Sequence, residues 1–299
     1  MSKVSVAFYE ILCYNRQAEK FHEDKKMKKF EGILLCTDLD GTLLKDDKSI
    51  SKENLDAIAY FMSEGGYFTF ITGRMPYFVQ HIYNALNPNA PFGCINGGGI
   101  YDHKAGKYLW TRELSAECFD LIDAVYENVS DIGIQVNTFD RIYFSSENYT
   151  MKLFRKATGV PNLVKPYREV TEPIGKIVFG DEADEKIKMV EKLLFAHEKS
   201  YKFDFIRSEH SLYEILPKGN GKGDVMLRIA DILGIKHEKT VALGDYNNDV
   251  SMLKAAGVGI AVSNASEDAK AAADIITVSN EEHAVAKTIY DIESGALKI

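Results

Sequence analysis

The chain has 299 residues, of which 45% are hydrophobic and 11% aromatic, and its formal net charge is −8. This composition predicts a soluble globular protein of about two domains, and the negative charge argues against nucleic acid or an anionic membrane as a partner. No apolar run reaches the roughly 18–20 residues that a membrane-spanning helix needs. The four cysteines have no metal-binding spacing, so we predict reduced thiols in a cytoplasmic protein.

The beginning of the chain differs in character from the rest. Residues 15–30 are strongly polar, and the apolar stretch before them lacks the basic start and the cleavage site of a signal peptide. We therefore predict that residues 1–30 form an extension outside the fold. A further hypothesis is that Met27 is the natural start and that residues 1–26 do not belong to the native protein.

From residue 31 the pattern alternates between strands and helices. Residues 32–37 form a continuous apolar run, which is typical of a parallel strand buried on both faces. The elements predicted next are a helix capped by Ser51, a strand at 67–71, a helix that Pro76 opens and a strand at 94–96. This order indicates a doubly wound α/β sheet.

After residue 98 the pattern changes to alternating, aromatic-rich segments that are typical of antiparallel hairpins. The elements predicted here are strands at 107–112, 133–138, 141–145, 176–180 and 211–216, and helices at 116–129 and 185–199. The α/β pattern then returns, with helices at 222–233, 250–256 and 265–272 and strands at 240–243 and 259–262. We therefore predict an α/β core of residues 31–98 and 218–299, interrupted by an inserted α+β domain at 99–217.

Carboxylates follow two of the predicted core strands. Asp38 and Asp40 come directly after the first, and Asp245 and Asp249 come after a later one. Ligands bind beyond the carboxyl ends of the strands in open α/β sheets, so these side chains are expected to meet. Four carboxylates without histidine or thiolate suit a hard cation, magnesium rather than calcium or zinc, which would relieve their mutual repulsion.

Two further groups suit the binding of phosphate. Thr72, Gly73 and Arg74 follow the second strand and offer a hydroxyl, a close backbone approach and a guanidinium. Lys222 begins a helix, where the helix dipole disfavours a cation, and this placement indicates an anion nearby. Taken singly, each of these groups is more often an ordinary turn or a solvated side chain, and the same holds for the Asp-Gly turn after the first strand.

The motifs in combination resemble the haloacid dehalogenase superfamily, and within it the Cof-type branch, subfamily IIB, of sugar-phosphate and flavin-nucleotide phosphatases. The matching segments are 38–42, 71–74, 95–98, 222–223 and 244–249. The resemblance covers residues 31–299 and implies a Rossmann-like doubly wound core with an inserted cap domain of the C2 type. It also implies a magnesium-dependent phosphatase that hydrolyses small phosphorylated metabolites, such as sugar phosphates or flavin and pyridoxal phosphates.

The resemblance also implies a role for each motif residue. Asp38 would attack phosphorus and form an aspartyl-phosphate, and Asp40 would protonate the leaving alkoxide and then deprotonate water. Magnesium would be held by the Asp38 carboxylate, the Asp40 backbone carbonyl and Asp245, with support from Asp249 through water or Lys222. The predicted phosphate- and substrate-binding residues are Thr72, Gly73, Arg74 and Lys222, with Asn96 and Asn248 as second-rank candidates for substrate or metal-bound water.

Other functions stay open on the sequence alone. A phosphotransferase or phosphomutase would use the same Asp38 but pass the phosphoryl group to a sugar hydroxyl. A non-catalytic phosphometabolite-binding protein would be expected to have lost Asp38, Asp40 or Lys222, and all three are present. A P-loop kinase needs a GxxxxGK[ST] segment, which the chain lacks. The sequence does not indicate an oligomeric state.

Overall fold

A computed structural model describes residues 28–299 of the chain, and the predicted N-terminal extension lies outside this range as far as residue 27. The strands are β1 (Leu34–Thr37), β2 (Tyr67–Phe70), β3 (Phe92–Cys94), β4 (Gly99–Asp102), β5 (Lys107–Thr111), β6 (Gly133–Thr138), β7 (Ile142–Ser146), β8 (Ile174–Gly180), β9 (Phe203–Glu209), β10 (Leu212–Pro217), β11 (Thr240–Gly244), β12 (Val258–Ala261) and β13 (Ile275–Ile276). The α-helices are α1 (Lys52–Ser63), α2 (Gln80–Leu86), α3 (Cys118–Asn128), α4 (Tyr149–Thr158), α5 (Asp184–Ala196), α6 (Lys222–Leu233), α7 (Val250–Ala255), α8 (Glu267–Ala272) and α9 (Ala284–Ser294).

The core sheet is parallel, with strand order β13-β12-β11-β1-β2. Its central strand β1 pairs with β11 on one side and β2 on the other, and all of its residues are buried. Alternate side chains of β1 reach opposite faces of the sheet: Leu35 packs towards α1 and α9, whereas Leu34 and Cys36 pack towards α6 and α7. Helices therefore cover both faces, and the predicted doubly wound α/β architecture is confirmed.

The helix signals in the sequence had mixed outcomes. The Ser51 hydroxyl accepts a hydrogen bond of 3.2 Å from the backbone N–H of Asn54, so the predicted N-cap of α1 is confirmed. Helix α6 has the predicted bounds and ends at Gly234, whose φ of 69° suits glycine. Pro76 begins a single 3₁₀ turn before α2. Five elements were not predicted, namely β4, β9, β13, α4 and α9. In α4 the only buried residues are Thr150 and Met151, too few for a clear apolar period.

A second sheet is antiparallel, with strand order β7-β6-β8-β10-β9, and we call the unit formed by β6–β10 with α3–α5 the cap. One face of this sheet is apolar and packs against α3 and α5; its side chains include Ile134, Val136, Ile177, Phe179 and Ile215. The opposite face carries polar side chains that are nonetheless buried, among them Gln135, Asn137, Lys176 and Glu214. This alternation leaves a polar surface of the cap available to meet the core.

A third sheet joins β3, β4 and β5, and a bridge between Ile71 and Gly93 connects it to the end of β2. Within it, Ile100 is fully buried in the cluster that contains Leu34 and Cys36 of the central strand. The β4–β5 hairpin therefore packs with the core elements. We propose that the inserted domain begins after β5 rather than at residue 99; the end at residue 217 stays a prediction.

The predicted extension of residues 1–30 includes residues that pack against the core. Phe30 is fully buried and contacts the rings of Tyr60 and Phe61, at centroid distances of 5.8 and 4.7 Å. Lys29 forms an ion pair of 2.5 Å with Glu293 of α9. The core therefore begins before residue 31, because an aromatic ring in the polar segment fills a gap between α1 and the sheet.

We expect Phe30→Ala to lower the free energy of unfolding by about 3–5 kcal/mol, because it removes a buried ring and leaves a cavity beside Phe61. Denaturant titration measures the change. Tyr201→Ala is the matched control, since that ring is 69% exposed and its loss should change the free energy by less than about 0.5 kcal/mol. Equal values for the two variants would contradict the placement of Phe30 in the core.

The structure also describes the lengths of the helices and the state of three cysteines within residues 28–299. Within that range no helix has the length and apolarity to cross a membrane. Three of the four cysteines, Cys36, Cys94 and Cys118, lie in the same range, and each is buried as a free thiol. Their burial raises the thiol pKa values above the ordinary range, which keeps them protonated and unreactive.

Candidate active site

The candidate site lies where the carboxyl ends of β1, β2 and β11 meet. The backbone N–H of Asp38 donates to the carbonyl of Leu243 at 2.9 Å, which places Asp38 directly beside the end of β11. On the other side, the N–H of Ile71 donates to the carbonyl of Thr37, so Thr72 follows at the neighbouring strand end. Parallel pairing thus brings together three segments that are far apart in the sequence.

Three carboxylates form a cluster at this edge. One oxygen each from Asp38, Asp245 and Asp249 lies within 4.8 Å of the others, and Asp38 and Asp249 are almost completely buried. Burial and the charges of Asp249 and Asp245 raise the pKa of Asp38 well above its ordinary value, against the opposing effect of Lys222. Burial and the charge of Asp249 raise the pKa of Asp245 to about 7. The cluster is therefore short of positive charge.

Lys222 supplies one positive charge to the cluster. It is the first residue of α6 and fully buried, and its ammonium lies 2.8 Å from Asp38 Oδ1 and 2.6 Å from Asp249 Oδ1. Burial alone would lower the pKa of this ammonium, but the charges of Asp249 and Asp38 outweigh that effect and raise it. A lysine at the start of this helix predicted an anion nearby. The anions found there are two carboxylates of the same chain.

Asp249 has structural partners on both of its oxygens. Oδ1 accepts from Lys222, and Oδ2 accepts from the backbone N–H groups of Asp245 and Tyr246 at 2.9 and 3.1 Å. These hydrogen bonds hold the loop after β11 in a tight turn. Asp249 therefore contributes to the cluster by fixing Lys222 and the backbone of Asp245, and the support of a metal ion that the resemblance implied for it stays a prediction.

Asp245 has one oxygen partnered and one directed at the turn after β1. The hydroxyl of Thr42 donates to its Oδ1 at 2.7 Å. Its Oδ2 would lie 2.4 Å from a Cβ atom at Gly41, which has a φ of 76°. Glycine is required at position 41 on both counts, because a side chain there would collide with the carboxylate and strain the backbone.

Asp40 and Arg74 meet each other instead of lying separately in the cluster. Arg74 Nε and one terminal nitrogen donate to the two oxygens of Asp40 at 2.8 and 2.7 Å, and Lys48 adds a contact of 2.9 Å. Burial raises the pKa of Asp40, but the hydrogen bonds and charges of Arg74 and Lys48 outweigh burial and lower it below its ordinary value. The sequence suggested phosphate as the partner of Arg74, and did not indicate Lys48.

The remaining predicted binding residues surround the loop after β2. Thr72 is almost completely buried, and its hydroxyl accepts from the backbone N–H of Arg74 at 3.2 Å. A Cβ atom at Gly73 would lie 2.8 Å from Asn96 Oδ1, so glycine allows this close approach. Asn96 Oδ1 in turn accepts from Asn248 Nδ2 at 3.1 Å. The two second-rank candidates are therefore bonded to each other next to the predicted phosphate loop.

Two buried cap residues at the site were missed by the sequence analysis. Lys176 Nζ lies 2.8 Å from Glu214 Oε1 and 3.2 Å from the carbonyl oxygen of Gly73. Glu214 Oε2 accepts from Asn96 Nδ2 at 2.8 Å. Each is a single charged residue within an otherwise apolar strand, and this pattern is the signal that could have identified them.

The donor set suits a divalent cation. Carboxylate oxygens are the ligands that hard cations prefer, and the raised pKa values of Asp38 and Asp245 mean that a further positive charge would stabilise the ionised cluster. The Asp40 carboxylate is bound by Arg74 and Lys48, so only the backbone carbonyl of Asp40 fits the ligand set that the family resemblance implied.

Comparison with known proteins identifies a family of hydrolases. A sequence model of the haloacid dehalogenase-like hydrolases matches residues 35–289. A 5-amino-6-(5-phospho-D-ribitylamino)uracil phosphatase of Bacillus subtilis (strain 168) is 30% identical over 87% of this chain and 98% of its own length. A pyridoxal phosphate phosphatase of Escherichia coli (strain K12) is 27% identical over 86% of this chain and 97% of its own length.

Solved structures agree with the sequence matches. A haloacid dehalogenase-like hydrolase from Bacteroides thetaiotaomicron is 26% identical, with a TM-score of 0.75 over 87% of this chain and 99% of the other. A sugar phosphatase of HAD subclass IIB, at 22% identity, has the same fold, with a TM-score of 0.76 over 87% of this chain and 99% of the other. With its inserted antiparallel cap and its carboxylates at the ends of β1 and β11, the chain belongs to the haloacid dehalogenase-like hydrolase family, as the resemblance of its motifs to the Cof-type branch indicated.

Proposed function

We propose that the protein is a magnesium-dependent phosphatase of small phosphorylated metabolites, with Asp38 as its nucleophile. The observation that carries this proposal is the buried ammonium of Lys222, 2.8 Å from the Asp38 carboxylate at the end of β1. A buried carboxylate at neutral pH needs a neighbouring cation to stay ionised, and an ionised carboxylate is what attack on phosphorus requires. The same cation can then stabilise the charge of the phosphoryl group during transfer.

We infer that Asp38, Asp245 and the backbone carbonyl of Asp40 hold Mg²⁺, with Asp249 in support. The free oxygen of Asp245 and the crowding of three carboxylates support this assignment. When bound there, the ion neutralises charge so that an anionic carboxylate and an anionic phosphate can approach each other. The other groups of the reaction belong to the chain itself.

The proposed reaction has two displacements. An oxygen of Asp38 forms a bond to phosphorus while the bond from phosphorus to the leaving oxygen breaks, and Asp40 gives its proton to that oxygen. Asp40 then takes a proton from water, which attacks the phosphorus of the aspartyl-phosphate and releases inorganic phosphate with Asp38 restored. Asp40 has to carry a proton in the first step, so we infer that Arg74 turns from Asp40 to the phosphoryl oxygens, which would remove one of the two cations that lower the pKa of Asp40.

Thr72 and Lys222 are the further groups that we assign to the phosphoryl oxygens. Thr72 follows β2 beside Asp38, and its hydroxyl hydrogen is free to donate, because the contact with Arg74 uses the oxygen as acceptor. Gly73 allows the backbone to come close, and a backbone N–H is a good donor to phosphate. Donors held rigidly around the developing charge are the largest contribution that such a site makes to catalysis.

The substrate class follows from chemistry and from the relatives. Relatives of this chain are named for 5-amino-6-(5-phospho-D-ribitylamino)uracil and for pyridoxal phosphate, which are both small phosphate monoesters. We propose substrates of this size for this chain and a place in the cytoplasm, and the net charge of −8 argues against nucleic acid.

The test is a panel of sugar phosphates, nucleotides, flavin mononucleotide, pyridoxal phosphate and the ribitylaminouracil phosphate, assayed for inorganic phosphate with Mg²⁺ and with a chelator. The proposal expects metal-dependent release from at least one member. Acceptor sugars are added in a parallel series, because a phosphotransferase would yield phosphorylated sugar in place of free phosphate. Binding of a panel member without turnover would contradict the proposed activity and leave a phosphometabolite-binding protein.

We expect Mg²⁺ to raise the melting temperature at pH 8 by on the order of 5 °C, and by much less at pH 5. The pKa values of Asp38 and Asp245 are raised on folding, so their stabilising protons are present at low pH and lost as the pH rises, for Asp245 through about 7. Above that pH, Mg²⁺ replaces the lost positive charge, whereas at pH 5 it competes with protons.

Melting curves with Mg²⁺ and with a chelator at both pH values measure this difference. Asp245→Asn should remove most of the increment, whereas Asp56→Asn, at an exposed carboxylate paired with Lys52, should keep it. An equal increment at both pH values would contradict the assignment of the ion to the carboxylate cluster.

A further inference from the structure

A line of four buried polar side chains connects the cap to the candidate site. Lys176 of β8 pairs with Glu214 of β10 at 2.8 Å, and Glu214 accepts from Asn96 Nδ2 at 2.8 Å. Asn96 Oδ1 accepts from Asn248 Nδ2 at 3.1 Å. All four side chains are less than a tenth exposed. The cap thus reaches the loop between Asp245 and Asp249 through two amides of the core.

The carboxylate of Glu214 determines how both amides of this line are oriented. A carboxylate paired with an ammonium can only accept hydrogen bonds, so Asn96 has to direct its NH₂ group at Glu214. Its carbonyl oxygen then faces Asn248, which has to answer with its own NH₂ group. Glu214 therefore determines which end of the Asn248 amide is left without a partner in this line of side chains.

The end of the Asn248 amide that is left without a partner is its carbonyl oxygen. Asn248 Oδ1 is buried and has no hydrogen-bond partner among residues 28–299. A buried acceptor without a partner is costly, so such a group points to a ligand that brings a donor. Asn248 lies directly before Asp249 in the loop that holds the carboxylate cluster, so the donor would arrive at the reaction site.

We propose that Glu214 is a positioning residue that sets Asn248 Oδ1, through Asn96, as the acceptor for an O–H donor at the phosphatase site. The proposal rests on the phosphatase function proposed above. The donor is either a hydroxyl of the leaving group or a water that accompanies the metal ion. Because Glu214 belongs to the cap while Asn96 and Asn248 belong to the core, the acceptor is set only when the cap occupies the position seen here.

Lys176 keeps the line in one orientation. Its ammonium holds Glu214 Oε1 and also donates to the carbonyl of Gly73 at 3.2 Å. The Ser208 hydroxyl donates to the same Oε1 at 2.7 Å. With that oxygen engaged twice, Oε2 is the oxygen left for Asn96.

The first test is Glu214→Gln. Lys176 would claim the oxygen of the new amide, so its NH₂ group would turn to Asn96 and both core amides would rotate, with an NH₂ group of Asn248 in place of the acceptor. We expect kcat for a sugar phosphate to fall about tenfold. Glu147→Gln breaks another cap ion pair, that with Arg155 at 2.6 Å, and should leave kcat unchanged. Equal kcat in the two variants would overturn the proposal.

A second variant separates orientation from a merely structural role. In Lys176→Met with Glu214→Gln no ammonium claims the glutamine oxygen, which can then face Asn96 while the NH₂ group faces Ser208. This double variant also carries no unpaired buried charge, so it keeps the test valid if Glu214→Gln alone unfolds. We expect the double variant to have a higher kcat than Glu214→Gln. If Glu214→Gln does not fold, the comparison is with Glu147→Gln, and we expect the kcat of the double variant to approach that of Glu147→Gln. A further fall, with the two losses additive, would overturn the proposal.

The source of the donor is distinguished by two measurements on Glu214→Gln. If the donor is a leaving-group hydroxyl, the loss appears with a sugar phosphate but not with an aryl phosphate, and the melting-temperature increment caused by Mg²⁺ is unchanged. If it is a water with the ion, both substrates suffer equally and the increment shrinks. A wild-type protein that releases no phosphate would contradict the proposed phosphatase function itself. An active wild type with unchanged kcat in Glu214→Gln would contradict only the positioning role of Glu214.

Discussion

Replacing Asp38 with asparagine should reduce phosphate release from any good substrate by at least about 10³-fold, to the background of the assay. The amide has no negative charge and cannot form the bond to phosphorus, and the other two carboxylates of the cluster have other proposed roles, Asp245 with the metal ion and Asp249 with Lys222. Asp249 is bonded through both oxygens, and Asp245 is held by Thr42. Steady-state release of inorganic phosphate with saturating Mg²⁺ measures the effect.

The stability of the same variant provides its control. Folding raises the pKa of Asp38 because the ionised carboxylate is buried beside two others, so the neutral amide relieves that repulsion. Lys222 keeps its contact with Asp249 at 2.6 Å. We therefore expect a melting temperature equal to or above that of the wild type. Full activity in a folded Asp38→Asn protein would place the nucleophile elsewhere.

Replacing Lys222 with methionine should be the most destabilising single change at the site, at about 3–5 kcal/mol near neutral pH. The ammonium is completely buried between Asp38 and Asp249, and its removal leaves both carboxylates without the cation that the structure places between them. Activity should fall as well, because the same group would bind the transferred phosphoryl oxygens. Denaturant titration and phosphate release measure the two effects.

The pH dependence of the Lys222→Met variant gives its cause. Without the ammonium, the pKa of Asp38, which folding already raises, rises further, so folding takes up protons and the loss of stability should be smaller at pH 5 than at pH 8. Lys188→Met is the matched control, since Lys188 forms an exposed pair with Asp184, and exposed ion pairs contribute little to stability. A loss in Lys222→Met that does not depend on pH would show that packing, not charge, decides the effect.

Local patterns predicted the parts of the fold that depend on neighbours in sequence. The apolar run before Asp38 gave β1, and the apolar period of α6 between Lys222 and Gly234 gave that helix with its observed bounds. The strand ends then indicated which loops would meet, because parallel strands place their carboxyl ends at one edge. By contrast, Phe30 lies in a polar segment, and only the packing of α1 and β2 gives it a place in the core.

The partners within the site could not be predicted in the same way. Nothing local distinguishes an Arg74 that binds phosphate from one that binds Asp40, since carboxylate and phosphate offer similar oxygens to a guanidinium. Lys176 and Glu214 lie 38 positions apart and meet only through antiparallel pairing of β8 with β10. The sequence therefore predicted which loops meet at the candidate site, whereas the charge balance inside the site required the structure.

We propose that the phosphoryl group passes through Asp38, and trapping of the aspartyl-phosphate is the experiment that distinguishes this route from others. The side chain at position 40 in Asp40→Asn cannot remove a proton from the attacking water, so hydrolysis of the aspartyl-phosphate should be slow. The intermediate should therefore accumulate when the leaving group is a nitrophenolate, because this group leaves with little help from an acid. Acid quenching and mass spectrometry of the digested protein should then find one added phosphoryl group on the peptide that contains Asp38, with none in Asp38→Asn. A phosphoryl group on another residue, or turnover by Asp40→Asn with no trapped intermediate at any time, would contradict the account.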